Sequence, residues 1–399
     1  MTVPRVFDRV IVGAGIIGLS IARSLKKNAP HLRILVLEKE PDVGAHSSGR
    51  NSGVLHAGFY YTADSLKARF TVEGNRQMKA YCQERGIPVN ACGKLVVAMD
   101  VDELLQLHEL DARGRRNGST VRLISEEEAK ALEPGVGTFR EALYSPDTAS
   151  LEPRAVLDSL KKDLLSSGVE MLFSTAYKGR QGQVVITSQG DFEGKKIINC
   201  AGLYADKVAQ DFGFGDKYTM IPFKGLYLKY KKNRDDVRMN IYPVPDLRNP
   251  FLGVHYTKAV DGTIKIGPTA IPAFWRENYT FRERFRPGEF LEIALREAQL
   301  FATNAFGFRD LAFEEMRKYS RRYFIGLARK MVPVDPEGFG DFTRPGIRAQ
   351  LLDKTTLELV QDFVIESDAA SVHVLNAVSP AFTCAFPFSD FVCRKYGLL

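Results

Sequence analysis

The chain has 399 residues, of which 45% are hydrophobic and 26% charged, with a formal net charge of +7. Such a composition describes a folded globular protein long enough for two domains, and it excludes a disordered or collagen-like chain. The basic residues are dispersed apart from short clusters at 229–234 and 282–286, so no basic stripe of the kind that tracks nucleic acid is present and no nucleic-acid partner is expected.

The chain begins with an apolar strand at 9–12, which runs into Gly13-Ala14-Gly15-Ile16-Ile17-Gly18 and then a helix filled by Leu19, Ile21, Ala22 and Leu25. A strand that turns at once into a helix needs the backbone freedom of glycine at Gly13. The missing Cβ of Gly15 lets a pyrophosphate approach the main chain, and Gly18 lets the helix pack closely. The N–H groups and dipole of the helix start then face the phosphates. A second apolar run, Ile34–Leu37, ends in Glu38, placed where a carboxylate meets ribose hydroxyls and disfavours a 2′-phosphate, hence NADP. This strand–turn–helix–strand–acid order predicts a dinucleotide site. Its candidate contacts are Gly13, Gly15, Ile16, Ile17, Gly18, Glu38 and Lys39.

Further along, helices are expected at 64–85, 102–117 and 152–167, with a short strand at 94–98 and a capping box at Ser125 and Glu128 before another short helix. Pro153 suits a helix start, and Gly168 a helix end. Strands follow at 169–173, 184–187 and 196–199. The last of these ends in Ala201-Gly202, and it is expected beside the first strand, bringing a second stretch of backbone to the same dinucleotide. Residues 218–330 have a different texture, with more aromatics and short strands at 225–230, 240–244, 252–256 and 263–267, then a helical region clearest at 290–301. Residues 344–351 start the return, strands follow at 363–366 and 372–375, and 379–383 opens a final helix. The expected architecture is α/β. A discontinuous Rossmann-like domain (1–90, 141–217 and 331–399) carries the cofactor, and an inserted mixed antiparallel α+β domain (91–140 and 218–330) carries the substrate.

The cysteines, Cys82, Cys92, Cys200, Cys384 and Cys393, are odd in number and lack CxxC spacing, so reduced thiols are expected rather than disulfides or a metal site. No basic segment followed by an apolar core opens the chain, and no run of about eighteen apolar residues occurs. A cytoplasmic protein is expected. Segment 382–399 sets Phe386, Phe388, Phe391, Val392 and Leu398 beside Arg394 and Lys395; it reads either as the last helix of the core or as a peripheral contact with the inner face of a membrane.

The most specific passage is the loop after Glu38, His46-Ser47-Ser48-Gly49-Arg50-Asn51-Ser52-Gly53-Val54-Leu55-His56-Ala57-Gly58-Phe59-Tyr60-Tyr61. It combines with residues 199–206, Pro222-Phe223-Lys224-Gly225, Leu252-Gly253-Val254-His255-Tyr256-Thr257, Ile266-Gly267-Pro268-Thr269, residues 344–351 and His373-Val374-Leu375-Asn376-Ala377. Together these resemble the L-2-hydroxyglutarate oxidase/dehydrogenase family, within the wider D-amino-acid oxidase group of FAD-dependent enzymes. The matches keep the family's order over essentially the whole chain, although Val378 stands where many relatives carry Pro. The resemblance implies non-covalent FAD rather than NAD, on a glutathione-reductase-like, D-amino-acid-oxidase-type FAD-binding domain. It implies oxidation of L-2-hydroxyglutarate to 2-oxoglutarate, with hydride passing from substrate C2 to flavin N5 and electrons going on to oxygen or a membrane quinone.

Such chemistry needs a base for the hydroxyl proton and cations for the carboxylates. Histidine suits a base working near neutral pH. His56, in the loop that the resemblance sets against the flavin, and His255, on a substrate-domain strand, are the catalytic candidates. His46 is a candidate flavin or phosphate neighbour, while His31, His108 and His373 read as structural. Arg348 is the first candidate for a substrate carboxylate, since arginine grips carboxylates bidentately; Lys224 is the second and Arg50 the third, the last serving either substrate or FAD. Tyr60, Tyr61 and Tyr242 offer hydrogen bonds. For FAD, Ser47 and Ser48 suit the pyrophosphate, Asn51, Ser52 and Gly53 the ribityl and flavin edge, and Ala201 and Gly202 the second backbone approach. Ser379, Pro380, Ala381, Phe382 and Thr383 suit the flavin O2, where a helix start stabilises negative charge. Three alternatives stay open on the residues: an amine- or amino-acid-oxidising flavoenzyme of the same fold, a flavin-binding protein without turnover, and an NAD-linked dehydrogenase.

Overall fold

Strand Ile34–Leu37 is buried at every position, as a strand covered on both faces of a parallel sheet must be. In the computed structural model, which describes residues 4–245 and 251–399, this strand lies inside a parallel set, with a neighbour on each side. The order is Glu170–Leu172, Ile34–Leu37, Arg5–Val12, Gly190–Asn199 and Ser371–Asn376. The strand ending in Asn199 therefore stands beside the first strand, as expected, with Val12 opposite Asn199. Antiparallel strands Val184–Thr187, Tyr177–Gln181 and Val364–Ser367 extend the sheet. Helix Ile16–Asn28 packs against Pro153–Ser166 and Ala381–Lys395.

The chain divides into two units. The first comprises 1–51, 153–222 and 348–399, and the second 52–152 and 223–347. The cofactor-type unit is thus built from three distant segments, but its boundaries move from those expected. Residues 52–90, 141–152 and 331–347 belong to the second unit, and 218–222 to the first. Strand pairing is the reason: Val54–Leu55 and Val89–Asn90 both pair with Ala149–Leu151, and Phe339–Phe342 pairs with Leu228–Tyr230. The polar loop 46–61 is consequently shared, with its first six residues in the first unit and the rest in the second.

The second unit is organised by an eight-stranded sheet. Its order is Phe339–Phe342, Leu228–Tyr230, Ile264–Gly267, His255–Lys258, Asn240–Pro243, Lys94–Val97, Glu141–Ser145 and Arg122–Ser125. All neighbours are antiparallel except Asn240–Pro243 against Lys94–Val97, which makes it the mixed, mainly antiparallel sheet expected. Strand 252–256 is realised later, as His255–Lys258, because the pairing of Ile241 with Tyr256 sets its register.

Side chains of a strand alternate between faces, and here the two faces differ in kind. Leu95, Val97, Ile241, Tyr256, Ile264 and Ile266 pack in one apolar cluster with Phe324, Ile325 and Ala328 of helix Arg321–Arg329. The opposite face presents Lys94 and Val96 beside Asn240 and Tyr242, and then His255 and Thr257. All six are buried. A polar face under cover is the signature of a site rather than of a core.

Helix Ala381–Lys395 settles the reading of the C-terminal segment. Phe386, Phe388, Val392, Cys393 and Leu398 are buried, and Arg23 lies over the Phe386 ring at 4.3 Å. Of the two readings of 382–399 the packing favours the last helix of the core, because these apolar side chains are covered and the helix packs on Ile16–Asn28. Among the described residues no helix is long and apolar enough to cross a membrane.

Candidate active site

In the first unit, the glycine turn fits an FAD pyrophosphate on steric grounds. Gly13 has φ +108°, and a Cβ there would lie 2.5 Å from the Cys200 carbonyl oxygen. Two segments of main chain converge at that point: the Gly13 N–H donates to the Leu37 carbonyl at 2.8 Å, and the Cys200 N–H to the Val12 carbonyl at 2.9 Å. Gly15 caps helix Ile16–Asn28 without a side-chain hydrogen bond, and Ser48 Oγ accepts from the Ile16 N–H at 3.0 Å. Ser48 thus sits at the helix start where phosphate oxygens are best stabilised. Above Gly202 a Cβ would meet nothing within 4 Å, which leaves room beside the second backbone approach. Asn199 fixes that turn by donating to the Ala205 carbonyl at 2.7 Å and accepting from the Ala201 N–H at 3.1 Å.

Glu38 does more than was expected of it. Its carboxylate accepts from the Ala14 N–H at 2.8 Å and the Glu40 N–H at 3.0 Å, so it braces the glycine turn itself. Burial pushes its pKa up, against the pull of those two hydrogen bonds; each oxygen keeps a second lone pair for a ribose hydroxyl. Lys39 pairs with Glu40 at 3.0 Å and lies 5.2 Å from the Tyr204 ring. His46 Nε2 meets Glu40 at 2.9 Å. Arg50 donates to the Ala45 carbonyl at 2.7 Å, and Asn51 to the Ser48 carbonyl at 2.7 Å, so both shape the loop that presents Ser48. Ser47 opens the short helical turn Ser47–Gly49. Ser379 and Pro380 precede helix Ala381–Lys395, within which Thr383 is buried and Phe382 half-buried. Arg348 lies half-buried on strand Gly346–Asp353, in the first unit.

The second unit gathers His56, His255, Tyr60 and Tyr242. Sequence reasoning missed the residue at their centre, Lys94. Its side chain is wholly buried, and its ammonium has no hydrogen-bond partner. Nζ lies 3.8 Å from the Tyr242 ring centroid, 5.0 Å from that of Tyr60 and 5.6 Å from that of Phe59. Aromatic faces attract a cation but do not replace a hydration shell. Burial accordingly drags the Lys94 pKa down to about 7. Tyr242 also stacks on His255, with centroids 3.7 Å apart and planes at 15°; one ring face cannot hold both neighbours, so Lys94 and His255 flank opposite faces.

His255 Nδ1 is 2.8 Å from the Gly253 carbonyl. A carbonyl only accepts, so the proton is on Nδ1 and the basic lone pair on Nε2. His56 is held well below the usual histidine pKa, first by burial and then by the charges of Lys94 and His255. The main chain is fixed here. Asn75 donates to the Leu55, His56 and Asp147 carbonyls at 3.3, 3.0 and 3.1 Å. Ser119 donates to Ala57, Asn117 to Gly58 and Tyr61, and Arg113 to Tyr60. The Tyr60 hydroxyl, buried and without a partner, stays protonated because burial raises its pKa. Lys224 lies on another strand, Tyr218–Gly225, where Nζ donates to Asn278 at 3.3 Å and burial lowers its pKa. Ser52 and Gly53 belong to the second unit: the Gly53 carbonyl accepts from the Leu151 N–H at 2.9 Å, and Ser52 Oγ from the Val54 N–H at 3.3 Å. His108 pairs with Glu141 at the surface, and His373 is buried between Asn199 and Ser371.

Residues 8–389 match the family described as FAD dependent oxidoreductase. The L-2-hydroxyglutarate dehydrogenase of Indibacter alkaliphilus is 34% identical, over 97% of this chain and 98% of its own length. The mitochondrial L-2-hydroxyglutarate dehydrogenase of Homo sapiens is 36% identical, over 98% of this chain and 88% of its own. Among solved structures, the FAD-bound L-alpha-glycerophosphate oxidase of Mycoplasma pneumoniae superposes with a TM-score of 0.79 at 22% identity, covering 98% of this chain and 95% of that one. The glycine oxidase of Geobacillus kaustophilus gives 0.71 at 17% identity, covering 98% and 94%. With the glycine turn and the parallel sheet in place, these matches identify the chain as a member of the FAD dependent oxidoreductase family, among the L-2-hydroxyglutarate dehydrogenases.

Proposed function

We propose that this protein oxidises L-2-hydroxyglutarate to 2-oxoglutarate. The observation that carries the reading is the unpaired, desolvated Lys94 ammonium on a buried sheet face that it shares with His255, with His56 of the neighbouring loop close by. A cation held out of water without a counter-ion lacks the anion that would complete it, and a dicarboxylate supplies one.

FAD, when bound, takes up the electron pair that leaves with the C2 hydrogen. The chain does the rest. Gly13, Gly15, Gly18, Ser48, Glu38, Ala201 and Gly202 hold the dinucleotide. Lys94 binds a substrate carboxylate and becomes fully protonated as it does so, because the new negative charge raises its pKa. Burial first, and then that positive charge, keep His56 neutral. His255, in the form whose lone pair is on Nε2, takes the hydroxyl proton; His56 is the second candidate for that step. Tyr60 donates its hydroxyl proton as a hydrogen bond to the substrate, Tyr242 carries both Lys94 and His255 on its ring, and Lys224 and Arg348 serve the second carboxylate. The electrons leave to oxygen or to a quinone at a membrane.

His255→Asn removes the lone pair but keeps an amide that can meet the Gly253 carbonyl. Its kcat is expected to fall about 100- to 10,000-fold, the range for loss of a general base, with FAD content unchanged. A fall of less than about threefold, with the pH profile intact, moves the role to His56. The reading as a whole is checked by the product: 2-oxoglutarate should form with a soluble dye acceptor from the L-acid and not from the D-acid. Turnover of glycine or sarcosine without turnover of the L-acid would replace the hydroxy acid by an amine substrate.

A further inference from the structure

We propose that the outer face of segment 274–322 docks on the surface of an anionic lipid bilayer. Of the sixteen exposed large hydrophobic residues among those described, eleven fall between Phe274 and Tyr319. Scattered apolar residues are ordinary at a surface; a concentration of this kind is not. Phe281 is 87% exposed, Leu295 63%, Phe313 59% and Leu291 58%.

The arrangement is continuous along two packed helices. Helix Pro287–Thr303 buries Ile293 and Leu300 on one side and exposes Leu291 and Leu295 on another. A helix that is apolar on both sides meets something other than water on the second. Helix Phe308–Arg317 joins it through Phe301 and Phe313, whose rings are 5.7 Å apart, and it exposes Met316. The preceding loop adds Phe285, in ring contact with Phe290 at 5.7 Å.

Charge chooses the occupant. Within 281–322 the exposed ionic residues are Arg282, Arg284, Arg286, Arg309, Arg317 and the Arg321–Arg322 pair, against one acid, Asp310. Three of these arginines also pair with acids that are themselves partly or wholly covered, Glu277, Glu289 and Glu314. A second copy of the same face would set arginine against arginine, whereas an isologous interface must complement itself. Anionic headgroups complement it instead, with aromatic and leucine side chains in the headgroup boundary and arginines around them. The proposed membrane contact thus lies on a different element from the C-terminal helix. For its purpose this proposal rests on the electron-transfer reading above; for its test it does not.

The test uses the FAD-loaded full chain in vesicle flotation, comparing pure phosphatidylcholine with vesicles of roughly one-quarter phosphatidylglycerol. Co-flotation is expected with the anionic vesicles, less with the neutral ones, and release is expected at high salt. The triple variant Phe281→Ser/Leu295→Ser/Phe313→Ser, all on exposed positions, should lower the bound fraction at least about tenfold while dye-linked turnover stays at the wild-type rate. Failure of the unmodified protein to float with anionic vesicles overturns the proposal, as does undiminished flotation of the variant. A concentration-dependent dimer abolished by the same three substitutions also overturns it, by assigning the face to a second copy. Flotation without any turnover of L-2-hydroxyglutarate leaves the docking surface standing and removes the proposed substrate.

Discussion

Lys94→Met is expected to lower kcat/KM for L-2-hydroxyglutarate about 100-fold, the worth of a charge-assisted contact to a carboxylate, and at the same time to make the protein more stable. The two effects have one cause. Lys94 is buried without a hydrogen-bond partner, and its pKa falls from the ordinary 10.5 to about 7. Between those values the unfolded chain binds a proton that the folded chain does not, so the folded state is penalised in that window. The penalty is nearly complete at pH 7 and fades as pH rises towards 10.5. The gap bounds it at roughly 5 kcal/mol, and a gain on the order of 2 kcal/mol at pH 7 is the reasonable expectation for an uncharged, apolar replacement of similar length. The gain should shrink by pH 10. A third consequence follows from the charge: without Lys94 the proton affinity of His56 rises, since that charge is one of the causes holding it down. His56 protonated beside the base His255 would oppose the charge His255 must acquire in the reaction, because the two rings interact, so the acid limb of the kcat/KM profile should move to higher pH. A lysine that merely held the fold together would, on removal, lower the melting temperature and leave the pH profile in place. Lys94→Arg, which keeps the charge but not the volume, should restore the position of the acid limb.

Gly13→Ala is expected to yield colourless protein, with FAD affinity reduced at least about 100-fold. The new Cβ would lie 2.5 Å from the Cys200 carbonyl oxygen and 3.0 Å from its carbon, and both are main-chain atoms of a paired strand end, so neither can step aside. The residue would also have to hold φ at +108°, where a side chain clashes with its own backbone. The two approaches of main chain around the dinucleotide would be forced apart. Gly326→Ala is the matching control: a Cβ there meets nothing within 4 Å, it lies in helix Arg321–Arg329, and the helix gains from the exchange. That variant should purify yellow. Absorbance at the flavin band per mole of protein reads both.

What could be seen in the sequence was whatever backbone geometry writes into spacing. Gly13, Gly15 and Gly18 mark a turn, Glu38 marks the end of the next strand, and Ala201-Gly202 marks a second strand end; each stands where those spacings put it. His56, His255 and Tyr242 were nominated on chemistry and the resemblance; Tyr242 and His255 share one sheet face with Lys94, and the charges of Lys94 and His255 reach the loop residue His56. Lys94 itself was passed over because lysine is ordinarily a surface residue. The signal was there in Lys94-Leu-Val-Val97, a strand otherwise wholly apolar and buried throughout, where alternation sets Lys94 and Val96 on one side. Its meaning depended on a partner strand far along the chain, Asn240–Pro243. The unit boundaries were missed for a related reason: Val54–Leu55 and Val89–Asn90 are two-residue strands, too short to show a period, and only pairing assigns them. The C-terminal helix and the 274–319 region are both rich in aromatic side chains. Packing alone decides which of them keeps its apolar surface to itself.

The central claim is that this chain takes two electrons from L-2-hydroxyglutarate, and the most direct measurement is an anaerobic titration of the yellow protein followed at the flavin band. The L-acid should bleach the band at one equivalent per flavin, with 2-oxoglutarate appearing in equal amount, while the D-acid leaves the spectrum unchanged at the same concentration. A band that neither enantiomer bleaches, in protein that dithionite reduces normally, would contradict the account.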